Sequence, residues 1–385
     1  MYREKTRVML VNRRAVLLSS IAALAAGRRA SAQETIKIGQ IAPATGPNAQ
    51  NGRFMMSGAR LAVEAMNSAG GILGKPIELV GEDDQTTNPG AVLAFSRLVS
   101  RGDIAAYLGP PSSTQTHAIA PDVLKAGRPL FLIGSDPALT HMGNPWLFRC
   151  RAHDAYSARV MAEYGVKDLG KRNWAVVYST DAFGTAAMKL LINALDKLGV
   201  KPALVQGYVN QQGDFTPVVL AVKQSGADII GSYFTFPTDL AVFARQIRQL
   251  GVTAPWIGSQ SIATATALSL AGSTLFGTFG IVDFAPESSP EAAAFATRYE
   301  QAYKSPADAF ASLPYDAVTV LTHAINAAGG TDPEAIRKAI LATRGLRGVN
   351  GTLSFDANGD GMRGLNIVRN DGGKIAFIRR IEFND

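Results

Sequence analysis

The sequence predicts two α/β lobes, each a doubly wound parallel sheet with helices on both faces. Three observations carry that prediction. Behind an N-terminal leader the chain keeps about 350 of its 385 residues, more than a single hydrophobic core usually holds. Short apolar runs of strand length alternate with helical stretches, the pattern of parallel sheets covered by helices. That alternation is also organised as two series.

The leader is read first because it sets the compartment and the charge. Arg13 and Arg14 precede the weakly apolar run "AVLLSSIAALAAG", and "ASA" at Ala30 to Ala32 has the small-x-small spacing of a signal-peptidase site. Residues 1–32 are therefore expected to be an export signal directing the protein to the periplasm. The order "NRRAVLL" points to the twin-arginine route, although Val16 stands where Phe is usual. The run is too short to span a membrane, which takes roughly 20 apolar residues. Seven basic residues and one acid lie in this segment, so +6 of the formal +7 leaves with it. The pI of 9.5 thus belongs to the leader and argues for no nucleic-acid partner. Cys150, the only cysteine, has no partner for a disulfide within the chain. Gln33, not a cysteine, stands immediately after the cleavage site, so a soluble protein without a lipid anchor is expected.

The elements follow in order. "TIKIGQIA", "PIELVGED", "IAAYLG" and "PLFLIG" are strands, and each of the first three leads into a helical stretch such as "MMSGARLAVEAMNSAGG", closed by glycines. The second series opens at "NWAVVYS" and runs through "ADIIGSYF" and "PWIG". Helices "AAMKLLINALDKLG" and "DLAVFARQIRQLG" lie between its strands. No exact internal repeat, low-complexity segment or Pro-rich linker separates the two series.

Several catalytic and metal readings fail on spacing. "GGILGKP" has Ala69 and Pro76 where a phosphate-binding loop needs Gly and Ser or Thr. No G-x-S-x-G elbow surrounds Ser112 or Ser113, and the four histidines stand apart in sequence. "DANGDG" copies the start of a calcium loop, but Ile367 occupies the twelfth position in place of the bidentate Glu, so it reads as a hairpin turn. The acids of "GEDDQTTNPG" read as a solvated turn complementing the dipole of the helix that follows. No cofactor and no metal are expected.

What remains is a set of hydroxyls at strand ends. In "IAAYLGPPSSTQTHAIAP", Ser112 and Ser113 follow a strand and open a helix, where unpaired N–H groups and the helix dipole favour an anion. The bland alternative is that one serine caps its own helix, a contribution of about 1 kcal/mol. "PLFLIGSDPALT" repeats the device with Gly134, Ser135, Asp136 and Pro137, and in an open parallel sheet the carboxyl ends of the strands form the ligand edge.

With these motifs in view the chain resembles a known family. "IKIGQIAPATGPNAQNGRFMMSGARLAVEAMNSAGGILGKPIELVGEDDQTTNPGAV", then "LGPPSSTQ", "DPALT", "DAFGTAA" and "YDAV", are similar to the periplasmic leucine/isoleucine/valine-binding proteins, the type I solute receptors of ABC importers. The likeness runs from about Ile36 to Phe383. It implies a clamshell whose two doubly wound lobes are joined by three crossing segments. The implied lobes are residues 33–151 with about 284–343, and residues 152–283 with about 344–385. Further implied are a small-molecule ligand between the lobes, an ABC permease as partner, a monomer and no catalysis.

The resemblance also assigns residues. Ser112 or Ser113, with Gly134 and Ser135, would hold the ligand's α-carboxylate and help hold its ammonium. Phe183, Tyr233, Thr235 and Phe236 would meet the ligand from the second lobe. Two positions depart from the family: Gln260 stands where the branched-chain receptors have a Glu for the ammonium, and Asn51 where an aromatic often sits. An ammonium buried without a countercharge is costly, whereas Gln suits a neutral or anionic group. Asp181, Asp239 or Asp283 are candidates for the missing charge. The expected ligand is therefore a small carboxylate-bearing molecule, a branched-chain or related amino acid. A receptor for an aromatic or other organic acid or an amide is the nearest rival. An exported serine hydrolase and a sensing module for a membrane receptor are more distant ones.

Overall fold

The computed structural model describes residues 34–362 and 364–383; the leader read at residues 1–32 lies outside them. The first series folds as β1 (Ile36–Ala42), α1 (Ala49–Ser68), β2 (Ile77–Asp83), α2 (Asn88–Ser100), β3 (Ile104–Leu108), α3 (Ser113–Ala126), β4 (Leu130–Leu132), the one-turn α4 (Ala138–His141) and β5 (Leu147–Arg149). Its strands form a parallel sheet in the order β2-β1-β3-β4-β5. The second series folds as α5 (Asp154–Glu163), β6 (Trp174–Ser179), α6 (Ala182–Asp196), β7 (Leu204–Tyr208), α7 (Thr216–Gln224), β8 (Ile229–Tyr233), α8 (Pro237–Gln249), β9 (Trp256–Gly258), α9 (Ala265–Ala271) and β10 (Phe279–Val282). The chain then returns to the first sheet with α10 (Pro290–Tyr303), α11 (Ala309–Ala328) and α12 (Pro333–Ala342), whose Phe295, Val318 and Ile336 join the core around Ile38. After a small ribbon of β11 (Leu346–Arg347) and β12 (Thr352–Leu353), it ends in β13 (Gly364–Asp371) and β14 (Lys374–Glu382).

Period-two alternation explains why the strands sit between two layers of helices. In β6, Trp174 and Val176 face the core built with α5 and α6, while Ala175 and Val177 face the core built with α7, α8 and α9. The first sheet is covered likewise, with α1, α11 and α12 on one face and α2 and α3 on the other. Side chains set the helix starts: Thr87 accepts the Gly90 N–H, Asp181 that of Gly184, Ser289 that of Ala292 and Asp332 that of Ala335. Helices α1 and α11 pack so closely that a Cβ on Gly58 would lie 1.9 Å from the Ala311 carbonyl oxygen. Among the described residues no helix is long and apolar enough to cross a membrane.

The second sheet departs from the all-parallel expectation. Its order is β14-β13-β10-β9-β8-β6-β7, and β13 runs antiparallel to both β10 and β14. The second sheet's hairpin turns at Asp371 to Lys374, while "DANGDG" reverses the chain in a tight turn of its own, with the Ser354 N–H on the Gly361 carbonyl and the Asp356 N–H on that of Asp360, laid beside β5 through an Arg149–Asp360 bridge. Nor do the acids of "GEDDQTTNPG" serve the helix dipole. Asp83 instead accepts the Ala44, Thr45 and Gln85 N–H groups and ties the ends of β1 and β2 together.

The chain passes between the sheets three times: after β5, after β10, and before β13. Leu353, Phe355 and Met362 still pack with Phe131 and Phe148 in the first core, so the last passage comes just before Gly364.

Candidate functional site

A cleft partly open to solvent lies where the carboxyl ends of both sheets face each other. From the first sheet come Asn48, Asn51, Ser112, Ser113, Gly134 and Ser135; from the second come Phe183, Phe234, Thr235, Pro237 and Gln260. The passage from β5 into α5 adds Arg151, Asp154 and Ser157. This is the sheet edge at which α/β proteins hold small molecules.

Glycines bring the first wall together. Gly109 adopts φ +87, and a Cβ there would lie 2.0 Å from the Ile41 carbonyl oxygen, so β3 can turn out beside β1 only with glycine at this point. Gly134 packs against Ser113, whose Cα and Oγ are each 3.0 Å from the position of a Cβ. Ser112 is the N-cap residue of α3, yet its side chain makes no capping hydrogen bond. The capping explanation therefore does not account for this hydroxyl, which faces the cleft beside the free N–H groups of the first helical turn. Ser113 is engaged: its Oγ accepts the Asp136 N–H at 3.3 Å.

Ser135 holds a different place from the one expected. Its hydroxyl donates to Asp154 Oδ2 at 2.7 Å, so it offers an acceptor, not a donor, to a ligand. Asp154 opens α5 and is only 2% exposed. Burial pushes its carboxyl up to about 6, against the opposing influence of Arg151 and the Ser135 hydrogen bond. None of the three acids proposed to replace the family Glu lines the cleft. Asp181 caps α6 and accepts from Thr235 Oγ1 and Asn210 Nδ2 at 2.6 and 2.9 Å. Asp239 accepts the Gln211 N–H, and Asp283 pairs with Arg151 at 2.7 Å.

Two aromatic assignments are not brought to the cleft. Tyr233 ends β8, and strand alternation sends its fully buried ring into the core, where it meets Phe183 edge-on at 6.1 Å. Phe236 sits in the extended N-cap position of α8 and is buried behind the wall; Phe234 and Pro237 line the cleft instead. Thr235 reaches the cleft with its hydroxyl donated to Asp181. Gln260 also lines it, and its Oε1 accepts the Asp283 N–H at 2.8 Å, which leaves Nε2 as the group free to donate. Asn51 donates Nδ2 to Asn48 Oδ1, leaving its own buried carbonyl oxygen without a partner.

Asp154 and Arg151 escaped sequence reasoning because no motif marks them. The one signal was two charged residues, "RAHD", directly after a strand end. The hydrolase reading meets a geometric obstacle. His117 Nε2 is bonded to Asp136 Oδ2 at 2.8 Å, and among the described residues neither Ser112 nor Ser113 has a hydrogen bond to a histidine.

Two lobes closing on a cleft of convergent polar groups define a two-lobed solute-binding protein. Comparison with known proteins makes the class specific. The model of the periplasmic binding protein family matches residues 35–374, and the chain belongs to that family. A Leu/Ile/Val-binding protein homolog from Brucella melitensis is 30% identical, with 94% of this chain and 99% of that protein aligned. The crystal structure of a leucine-binding protein, LivK, from Thermotoga maritima superposes with a TM-score of 0.85 at 26% identity, covering 90% of this chain and 99% of that one. LivJ from Streptococcus pneumoniae, a branched-chain amino acid transporter substrate-binding protein solved in complex with isoleucine, gives 0.83 at 25% identity, covering 90% and 99%.

Proposed function

We propose that this protein is the periplasmic receptor of an ABC importer, without catalytic activity of its own, and that it delivers a branched-chain or related amino acid to the membrane permease. One observation carries the choice of ligand: the same cleft holds a free hydroxyl at a helix N-terminus and, facing the cleft, a buried acid. Ser112 and the first N–H groups of α3 suit a carboxylate, while Asp154 with Ser135 suits an ammonium. Phe183 then covers an apolar side chain. The names of the Brucella, Thermotoga and Streptococcus relatives agree with this class of ligand.

In this reading the protein acts as a monomer, binds no nucleic acid, and is exported by residues 1–32. Its lobes meet near residues 151 and 284 and just before Gly364. That last boundary, later than about 343, is supported by Leu353, Phe355 and Met362, which pack with the first core. A second reading, a receptor for an organic acid or an amide, is favoured by Gln260, whose free Nε2 presents a donor where an ammonium would need an acceptor.

A thermal-shift screen of branched-chain amino acids, their 2-oxo acids, aromatic acids and simple amides tests the choice, because a ligand bound only by the folded state raises its stability by mass action. Stabilisation by leucine, isoleucine or valine alone supports the first reading. Stabilisation by the acids or amides alone replaces it with the second.

A further inference from the structure

A second site lies outside the cleft, at the junction where the chain leaves β5 and later returns. There Arg149 N–H donates to the Gly359 carbonyl and Gly361 N–H to that of Arg149, both at 2.9 Å. Three potential ligands converge at this junction. His141 ends α4, His153 precedes α5, and Asp360 comes from the turn beginning at Asp356. One ligand atom from each lies within 4.8 Å of the others.

The Asp360 carboxylate is divided between two tasks. Oδ1 takes Arg149 Nε and Nη2 at 2.8 and 2.7 Å, whereas Oδ2 faces the Thr140 hydroxyl at 3.0 Å and His141 Nε2 at 3.1 Å. His153 keeps Nδ1 buried and without a partner, and its ring stacks on Tyr156 at 4.5 Å.

We propose that His141, His153 and Asp360 bind a divalent transition-metal ion such as Zn²⁺, Co²⁺ or Ni²⁺. Two imidazoles with one carboxylate oxygen are the donors of borderline metals, whereas calcium and magnesium take oxygen ligands. Tetrahedral bonds of about 2.0–2.2 Å place ligand atoms roughly 3.3–3.5 Å apart. The His141–Asp360 pair already stands near that separation, and His153 would move toward it to complete the set. His141 is 45% exposed, which provides a path from solvent and room for a water as fourth ligand. Arg149 and Thr140 fix the carboxylate from behind, as outer partners of metal ligands do. The Arg149 charge also opposes the ion, so the expected affinity is micromolar, not nanomolar.

The ion would join both lobes. His141 belongs to the first series, while His153 stacks on Tyr156, which packs on Phe383 in the second core.

The test uses untagged, chelator-treated full-length protein titrated with Zn²⁺ by calorimetry and with Co²⁺ by visible absorption. Wild type is expected to take up one equivalent at micromolar concentration and to develop Co²⁺ ligand-field bands. His141→Ala removes a half-exposed side chain and should leave the fold intact. It should weaken binding by about tenfold or more and lose the bands. His323→Ala, an exposed histidine on α11, should match wild type. Absence of saturable binding by wild type, or His141→Ala binding as tightly as wild type, overturns the proposal.

Discussion

The two walls of the cleft are built differently. On the first, short polar side chains and backbone groups at Ser112, Ser113, Gly134 and Ser135 are held by local bonds, such as Ser113 to Asp136 and Ser135 to Asp154. On the second, Phe183 and Pro237 present apolar surface, Phe183 backed by the buried ring of Tyr233, and Gln260 is an amide whose carbonyl is already held by Asp283. The contrast suggests a division of labour: the first wall orients the ligand through the N–H groups of the helix start, the Ser112 hydroxyl and the Ser135–Asp154 acceptors, and the second reads what the rest of it is. Preorganised donors lose little freedom on binding, so the larger energetic effects should lie on the first wall.

Ser112→Ala is the strongest way to break that contrast. It removes a hydroxyl free to make a charge-assisted hydrogen bond, worth roughly 1.5 to 3 kcal/mol, or about ten- to hundred-fold in dissociation constant. Because this side chain makes no capping bond, thermal stability without ligand should stay the same. Calorimetry and melting of the same variant decide the matter: a fall of several degrees with affinity unchanged would mean that Ser112 serves the helix and not the ligand.

Asp154 sharpens the contrast through pH, with a smaller effect. Its carboxyl sits at about 6 in the free protein, raised by burial, so it ionises between about pH 5 and pH 7. An ammonium-bearing ligand prefers the ionised form, and its affinity should rise about tenfold across that window and level off above it. A purely anionic ligand should lose affinity over the same window. The effect on stability has the opposite sign to the amino-acid case. A raised folded-state value contributes stability that is full below the unfolded value and is lost as pH rises through about 6. Tighter binding at higher pH would therefore not reflect a sturdier protein. Calorimetry at both ends of the window, with a chelator present, separates the two ligand classes.

How far sequence reached is clearest in these same residues. The sheets were legible because strands such as β6 are apolar on both faces and alternate with amphipathic helices at regular spacing. Ser112 and Gly134 were legible because each follows an apolar run and opens a turn. The antiparallel edge was not, since β13 pairs with a strand that ends more than 80 residues earlier. Arg151 and Asp154 follow β5, which is only three residues long, and the Arg151–Asp283 pair closes across 132 residues. Tyr233 and Phe236 were misplaced because Tyr233 turns into the core at the end of β8 and Phe236 sits in the extended N-cap position of α8, and no residue type there announces it.

Gln260→Glu gives the smallest effect and bears on the second wall alone. Glutamate can keep one oxygen on the Asp283 N–H and turn the other toward the cleft, replacing a donor with a charged acceptor at a fixed point. Asp283 does not repel the new charge fully, because its carboxylate is paired with Arg151. Gln260 is partly exposed, however, so solvent screens the interaction to about 1 kcal/mol, or about fivefold in affinity. Ligands with an ammonium should gain that factor and simple acids should lose it, so the ratio of the two is the sensitive readout. A ratio unmoved in calorimetry would mean that the ligand's second polar group does not reach Gln260. Selectivity would then lie in the aromatic cover of Phe183, and the second wall would discriminate by shape without using charge.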